Sequence, residues 1–451
     1  MNHAPTIRRG IGAFGAIVVV LVLPVVAGFP GAASGAASES ATSHAVGVVS
    51  DTFVDSHRST PAHGPDPALP SRTLVTTIWY PAAGTPSSGG PVPGATADRS
   101  GGPYPLIVFA HGLGATPQVY EALLSRWAAA GYVVAAPLFP LTNGTTPGGT
   151  DPDDVFNQPG DVSYVISSVL NASTQSGGTL AGLVDAHEVG VAGHSEGAIT
   201  TLGFFNTCCR DPRVKAAEVL DGDPEAYPGG RYDYHGNPPM LVVHGTADTL
   251  LPYSQMVGVF NSAKGPKGLL ALTGAGHTNW LEPSTTWFAS AVETTTDFFA
   301  AYLRGDKAAL TRIPADGQPG VSTIDFFAKP GSTTTIPTTP APKTDRHATV
   351  TPHTNLANGQ TVTVHWRGYL PGKVVNIVEC SSDAAAGCDV AGGRILTPDP
   401  TGVGTASLQI VEGHVGTGEC DAPHPGCQVA VNDAGLETPA ATVRIPITFA
   451  P

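Results

Sequence analysis

Between Arg72 and Gly305 the sequence alternates between short apolar runs and longer stretches of helical periodicity, and this alternation limits the fold more than any other feature. RTLVTTIWYP, YPLIVFAHG, YVVAAPLFP, HEVGVAGHS, VKAAEVLDG, PPMLVVHGTAD and KGLLALTGAGH read as strands. PQVYEALLSRWAAAG, DVSYVISSVLNA, EGAITTLGFFN, YSQMVGVFNSA and TWFASAVETTTDFFAAYLRG read as helices. Strands that are apolar throughout, rather than at every second residue, have both faces covered, as in a mostly parallel sheet wrapped by helices. An α/β, doubly wound architecture is expected, and in such a sheet chemistry collects beyond the strand C-termini.

The rest of the chain frames this region. Residues 329–345 begin KPGSTTTIPTTPAPKT, a Pro/Thr-rich stretch that cannot form a core and reads as a linker. It separates an α/β domain at 45–328 from an all-β module at 346–451, where short β-branched runs alternate with glycine and proline turns. With 451 residues and 41% hydrophobic content, the chain can build two cores. Residues 1–36 read as a signal peptide: Arg8 and Arg9, an apolar stretch from Ile11 to Val26, then small residues up to a cut near Ala36. That stretch is short, holds Gly12, Gly15 and Pro24, and lacks a basic stop-transfer flank, so no integral membrane segment is expected after cleavage. Export to an oxidising compartment favours disulfides among the six cysteines. Cys208 and Cys209 are adjacent, and are either two partly buried thiols or a vicinal disulfide. No His/Cys spacing suggests a metal. The net charge of −14 repels phosphate backbones and anionic headgroups, which argues against nucleic acid and against electrostatic membrane docking.

Gly193-His194-Ser195-Glu196-Gly197 fits G-x-S-x-G between a strand (EVGVAG) and a helix (EGAITTLGFF), the context that a nucleophile elbow requires. A serine hydroxyl needs a base, and the base needs a carboxylate to hold its tautomer. His277, at a strand end in TGAGHTNW, suits the base, whereas His111 and His244 each precede a glycine and suit turns. Asp248, just past PMLVVHGTA, suits the acid in the order Ser, Asp, His, with Asp221 and Asp223 as rivals. The developing oxyanion needs two N–H donors. Glu196 supplies one from its backbone, and the HGLG turn supplies the other, Leu113 first and Gly112 second. The Glu196 carboxylate itself sits in the first turn of a helix, where the dipole favours it.

Through RTLVTTIWYPA, PYPLIVFAHGLGATPQVYEALLSRWAAAGYVVAAP, VGVAGHSEGA, VVHGTADTLLP and GAGHTNW, residues 45–327 resemble α/β-hydrolases of the platelet-activating-factor acetylhydrolase, dienelactone hydrolase and cutinase-like branch, which includes polyester hydrolases. The resemblance implies Ser195 as nucleophile, Asp248 as acid, His277 as base, and Leu113 with Glu196 as oxyanion hole. Polyester-active members tend to carry an aromatic residue at the Leu113 position and methionine at that of Glu196, so this chain departs from them at both. Residues 346–451 are similar to the neocarzinostatin family through NGQTVTVHWRGYLPG, VNIVECSSDAAAGCD and ECDAPHPGCQVAVND. That likeness implies an immunoglobulin-like sandwich with Cys380 paired to Cys388 and Cys420 to Cys427. It leaves the module either an accessory or spacer, or a small-molecule carrier.

The expected activity is hydrolysis of a small or lipid-like carboxylic ester by a secreted serine hydrolase, without a cofactor, since the triad completes the reaction with water. A cutinase-like attack on polymeric esters is the alternative, and a binding protein on a degenerate hydrolase scaffold is the other class. DPEAYPGGRYDYHGN, after VKAAEVLDG, is too short for a helical cap, so an open site bordered by LTNGTTPGGTDPDDVFNQ is expected.

Overall fold

The structure, a computed structural model, describes residues 43–331 except 88, and 346–450 except 370–374, 383–386, 390–392, 397–401, 425 and 433–441. The expected signal peptide and most of the linker lie outside the described residues. The first region is built on a ten-stranded sheet. Its strands are β1 (Ala45–Asp55), β2 (Arg72–Ala82), β3 (Val92–Pro93), β4 (Tyr104–Ala110), β5 (Val133–Leu138), β6 (Val184–His194), β7 (Val214–Leu220), β8 (Met240–Gly245), β9 (Lys267–Leu272) and β10 (Ser322–Phe327). They lie in the order β10-β9-β8-β7-β6-β4-β5-β2-β1-β3. The run from β5 to β9 is parallel, while β2 joins β5, β1 joins β2 and β10 joins β9 antiparallel.

Helices cover both faces, as the apolar strands require. Residues of α2 (Gln158–Thr174), α3 (Glu196–Gly203) and α4 (Tyr253–Ser262) pack on one face, among them Val165, Leu202 and Phe260. On the other face lie α1 (Glu121–Ala129) and α5 (Thr286–Leu303), through Trp127, Phe298 and Phe299. Parallel strands point their C-termini to one edge, so the loops after β4, β6, β8 and β9 converge there.

The second region holds a three-stranded sheet of His347–Thr351, Thr361–Arg367 and Gly404–Gln409, and a four-stranded sheet that includes Val375–Cys380 and Gln428–Asn432. Val362, Val364, Trp366, Ile377, Val429 and Val431 fill a core built from the module's own residues. Disulfides join Cys380 to Cys388 and Cys420 to Cys427. Cys208 and Cys209 form the vicinal disulfide, on the turn that follows α3. Among the described residues no helix is long and apolar enough to cross a membrane.

Candidate active site

Ser195 sits between β6 and α3 with φ 58°, a left-handed conformation that a side chain rarely adopts. The flanking glycines explain how the turn closes. A Cβ on Gly193 would stand 2.1 Å from the carbonyl oxygen of Gly197, and one on Gly197 would stand 2.0 Å from that of Ala110. Only hydrogen fits at either position, so the serine is thrust up at the head of the sheet.

His277, on the loop after β9, meets it there. The Ser195 hydroxyl and His277 Nε2 are 2.8 Å apart, and His277 Nδ1 lies 2.7 Å from Asp248 Oδ2. Asp248 Oδ1 accepts the N–H groups of Leu250 and Leu251 at 2.8 and 3.0 Å, which fixes the carboxylate's rotation. Burial alone would raise its pKa, but hydrogen bonds from His244 and His277, together with the charge of His277, hold it well below the usual carboxylate range. The helix α4 is capped at Pro252, so Asp248 has no capping duty.

The rival acids are placed otherwise. Asp221 follows β7 directly, with φ 46°, and is fully buried. Its Oδ1 accepts the Gly245 N–H at 2.7 Å, and its Oδ2 accepts the indole N–H of Trp280. It therefore ties the loop bearing Asp248 to the loop bearing His277. Asp223 lies two residues further along the same loop, half-buried.

In the HGLG turn the Gly112 N–H donates to the Tyr120 hydroxyl, that of Gly114 to Thr142 O, and that of Ala115 to Gly112 O. Leu113 is the residue of this stretch whose N–H none of these bonds uses. Gly112 is needed for close approach, since a Cβ there would lie 3.1 Å from that of Ser195. His111 accepts the Phe139 N–H at Nε2 and donates from Nδ1 to Gly112 O, and burial pushes its pKa down to about 4, so it is a neutral tether. His244 donates from Nε2 to Leu251 O at 2.9 Å and stands 3.4 Å from Asp248. Burial opposes its charged form, but Asp221 and Asp248 raise its pKa on balance.

Glu196 is not a solvated helix-start carboxylate. It is buried, neither oxygen has a hydrogen bond of ordinary geometry, and burial pushes its pKa up to about 8, with Gln158 and Thr142 opposing the shift. Two apolar side chains on these loops are exposed, Leu113 at 43% and Leu250 at 55%. No helix occurs between β7 and β8.

Two groups, His194 with Asp221 and His277, and Asp221 with His244 and Asp248, bring three potential ligand atoms within 4.8 Å of one another. His277 and both carboxylates are already engaged in the bonds above, so an ion would have to displace them. Tyr120, His194 and Trp280 are in the site without having been picked out by sequence. His194 occupies the variable position of the elbow motif, which was the one available signal.

The Chlorophyllase family model matches residues 89–247, a stretch that includes Ser195 and ends one residue before Asp248. The Neocarzinostatin family model matches residues 348–449. The chain has the fold of an α/β-hydrolase followed by a neocarzinostatin-like domain. Macromomycin of Streptomyces macromomyceticus is 37% identical over 93 residues, which are 20% of this chain and 65% of that protein, so the chain spans just under two thirds of this relative's length. The solved structure of a ferulic acid esterase from Streptomyces cinnamoneus is similar, at 22% identity and a TM-score of 0.47, over 65% of this chain and 98% of that one. In this chain the neocarzinostatin-like domain carries two of the three disulfides described.

Proposed function

We propose that the chain is a secreted serine esterase acting on lipid-like or short- to medium-chain carboxylic esters. The observation that carries this reading is the unbroken line Ser195, His277, Asp248, with contacts of 2.8 and 2.7 Å, at the head of a parallel sheet. His277 Nε2 takes the Ser195 proton as Oγ attacks the ester carbonyl carbon. The N–H groups of Leu113 and Glu196 receive the negative oxygen, and the alcohol leaves with the proton from His277. Water, deprotonated by the same imidazole, then cleaves the acyl-serine and releases the acid. Asp248 keeps Nδ1 protonated and Nε2 free to accept. The three disulfides and the neocarzinostatin-like module support export.

A panel of nitrophenyl esters graded by acyl length, run on the wild type and on Ser195→Ala, tests the reading. Turnover should fall to background in the variant, and turnover that survives the substitution would overturn the mechanism. The exposed Leu113 and Leu250 favour one extension, to aggregated or polymeric esters, because a large substrate can lie across such side chains. Release of soluble acid from an insoluble polyester film by the wild type, and not by Ser195→Ala, would establish it.

A further inference from the structure

Beneath the triad runs a second line of hydrogen bonds, and with a single proton on the His194 ring its directions follow. The Gly112 N–H can only donate, so the Tyr120 oxygen accepts it, at 3.1 Å. The His277 carbonyl can only accept, so His194 Nε2, 2.9 Å away, carries a proton. The Tyr120 proton is then directed to His194 Nδ1, at 3.0 Å. Both side chains are almost wholly buried, and burial keeps the phenol far above its ordinary pKa and therefore protonated. The His194 ring also packs against that of His277, with centroids 4.9 Å apart.

Each end of this line is a loop that the reaction needs. One end is the turn that presents the Leu113 N–H, and the other is the backbone of the residue that deprotonates Ser195. We infer that Tyr120 and His194 are positioning residues that hold the oxyanion turn and the His277 loop in register with each other across the nucleophile. The inference rests on the esterase reading above. Neither side chain is exposed to substrate, so the effect falls on the transition state, where donor and base must be placed to within a few tenths of an ångström. Substrate binding, which uses exposed groups, is left alone.

Tyr120→Phe removes the oxygen and keeps the ring. His194→Gln keeps a donor near the Nε2 position for the His277 carbonyl and removes the acceptor that faces Tyr120. With a soluble short-chain nitrophenyl ester, each variant should lose roughly tenfold in kcat, about the worth of one to two neutral hydrogen bonds, with KM unchanged within twofold. The double variant should be no slower than the slower single one, because both break the same link. Thermal unfolding of each variant, followed by circular dichroism, shows whether the folded enzyme is being measured. If the phenylalanine variant does not fold, His194→Gln decides by the same readout. Wild-type kcat in the folded variants, or losses that multiply in the double, would overturn the inference and leave the esterase reading standing. Hydrolysis that persists in Ser195→Ala would overturn both.

Discussion

The pair Asp221 and Asp248 shows how one residue type acquires two tasks within 27 positions of a chain. Asp248 faces the imidazole that serves Ser195, whereas Asp221 holds backbone and indole N–H groups. Asp248→Asn should therefore cut kcat by several orders of magnitude with little change in thermal stability. Asp221→Asn should lower the unfolding temperature more and kcat less, and the reverse ranking would move the acid to Asp221. Glu196 gives a pH-dependent prediction. Its carboxyl stays protonated in the folded chain to about pH 8, while an ordinary glutamate ionises near 4.5. Between those values the unfolded chain has released a proton that the folded one keeps. The stabilisation is thus complete below pH 4.5 and declines as pH rises through 8. Glu379 and Asp316, each raised to about 7 by burial, act in the same direction. Glu196→Gln should flatten the fall of the urea midpoint between about pH 4.5 and 8. It should also remove a loss of kcat above about pH 8, since an ionised carboxylate beside the oxyanion donor opposes the charge being formed there. Urea titrations from pH 4 to 9 and rate profiles from pH 6 to 10 check the two effects. Ser195 and His277 were legible in sequence because the elbow and the strand end are local patterns. Tyr120 and His194, 74 positions apart, form no local pattern, and the burial of Glu196 depends on how the distant Thr142 and Gln158 fold over it.

The strands and helices of the central sheet were legible almost residue by residue, because burial on both faces leaves an uninterrupted apolar run. The edges were less so. In β1 most residues are half-buried or exposed, and β10 pairs antiparallel at the far side, so neither carries a strong signal. Nor does periodicity reveal what ties the edge to the helices. Arg72, at the start of β2, is buried and bonds both Asp154 and Asp161, with contacts from 2.6 to 2.9 Å, while Arg58 adds Asp55 and Asp161. Burial opposes the guanidinium's charge, but the two carboxylates more than offset it and raise its pKa. Arg72→Ala would leave two carboxylates in the interior without their main cation, and should lower the unfolding free energy by about 3–5 kcal/mol. Chemical denaturation measures this directly. Gln158, at the start of α2, donates to Thr142 Oγ1 at 2.9 Å, so this anchorage also governs the loop that closes over Glu196, and kcat should fall alongside stability.

At the scale of the whole molecule, the hydrolase and the β-module each have a core made of their own residues, and the active-site residues all precede the linker. A chain ending near Ala328 should fold and keep the wild-type rate on soluble esters. If the module serves attachment, the same truncation should weaken adsorption to an insoluble ester, as lost tethering lowers local concentration without touching chemistry. Loss of soluble-ester turnover by a folded truncation would place part of the substrate site on the module. The exposed Leu113 and Leu250, together with the lack of any helix between β7 and β8 that could act as a lid, have a kinetic consequence of their own. An enzyme whose mouth stands open has no door for a lipid–water interface to pull aside. Its rate against an ester should rise smoothly through the concentration at which that ester forms micelles, with none of the abrupt acceleration that marks a lidded lipase.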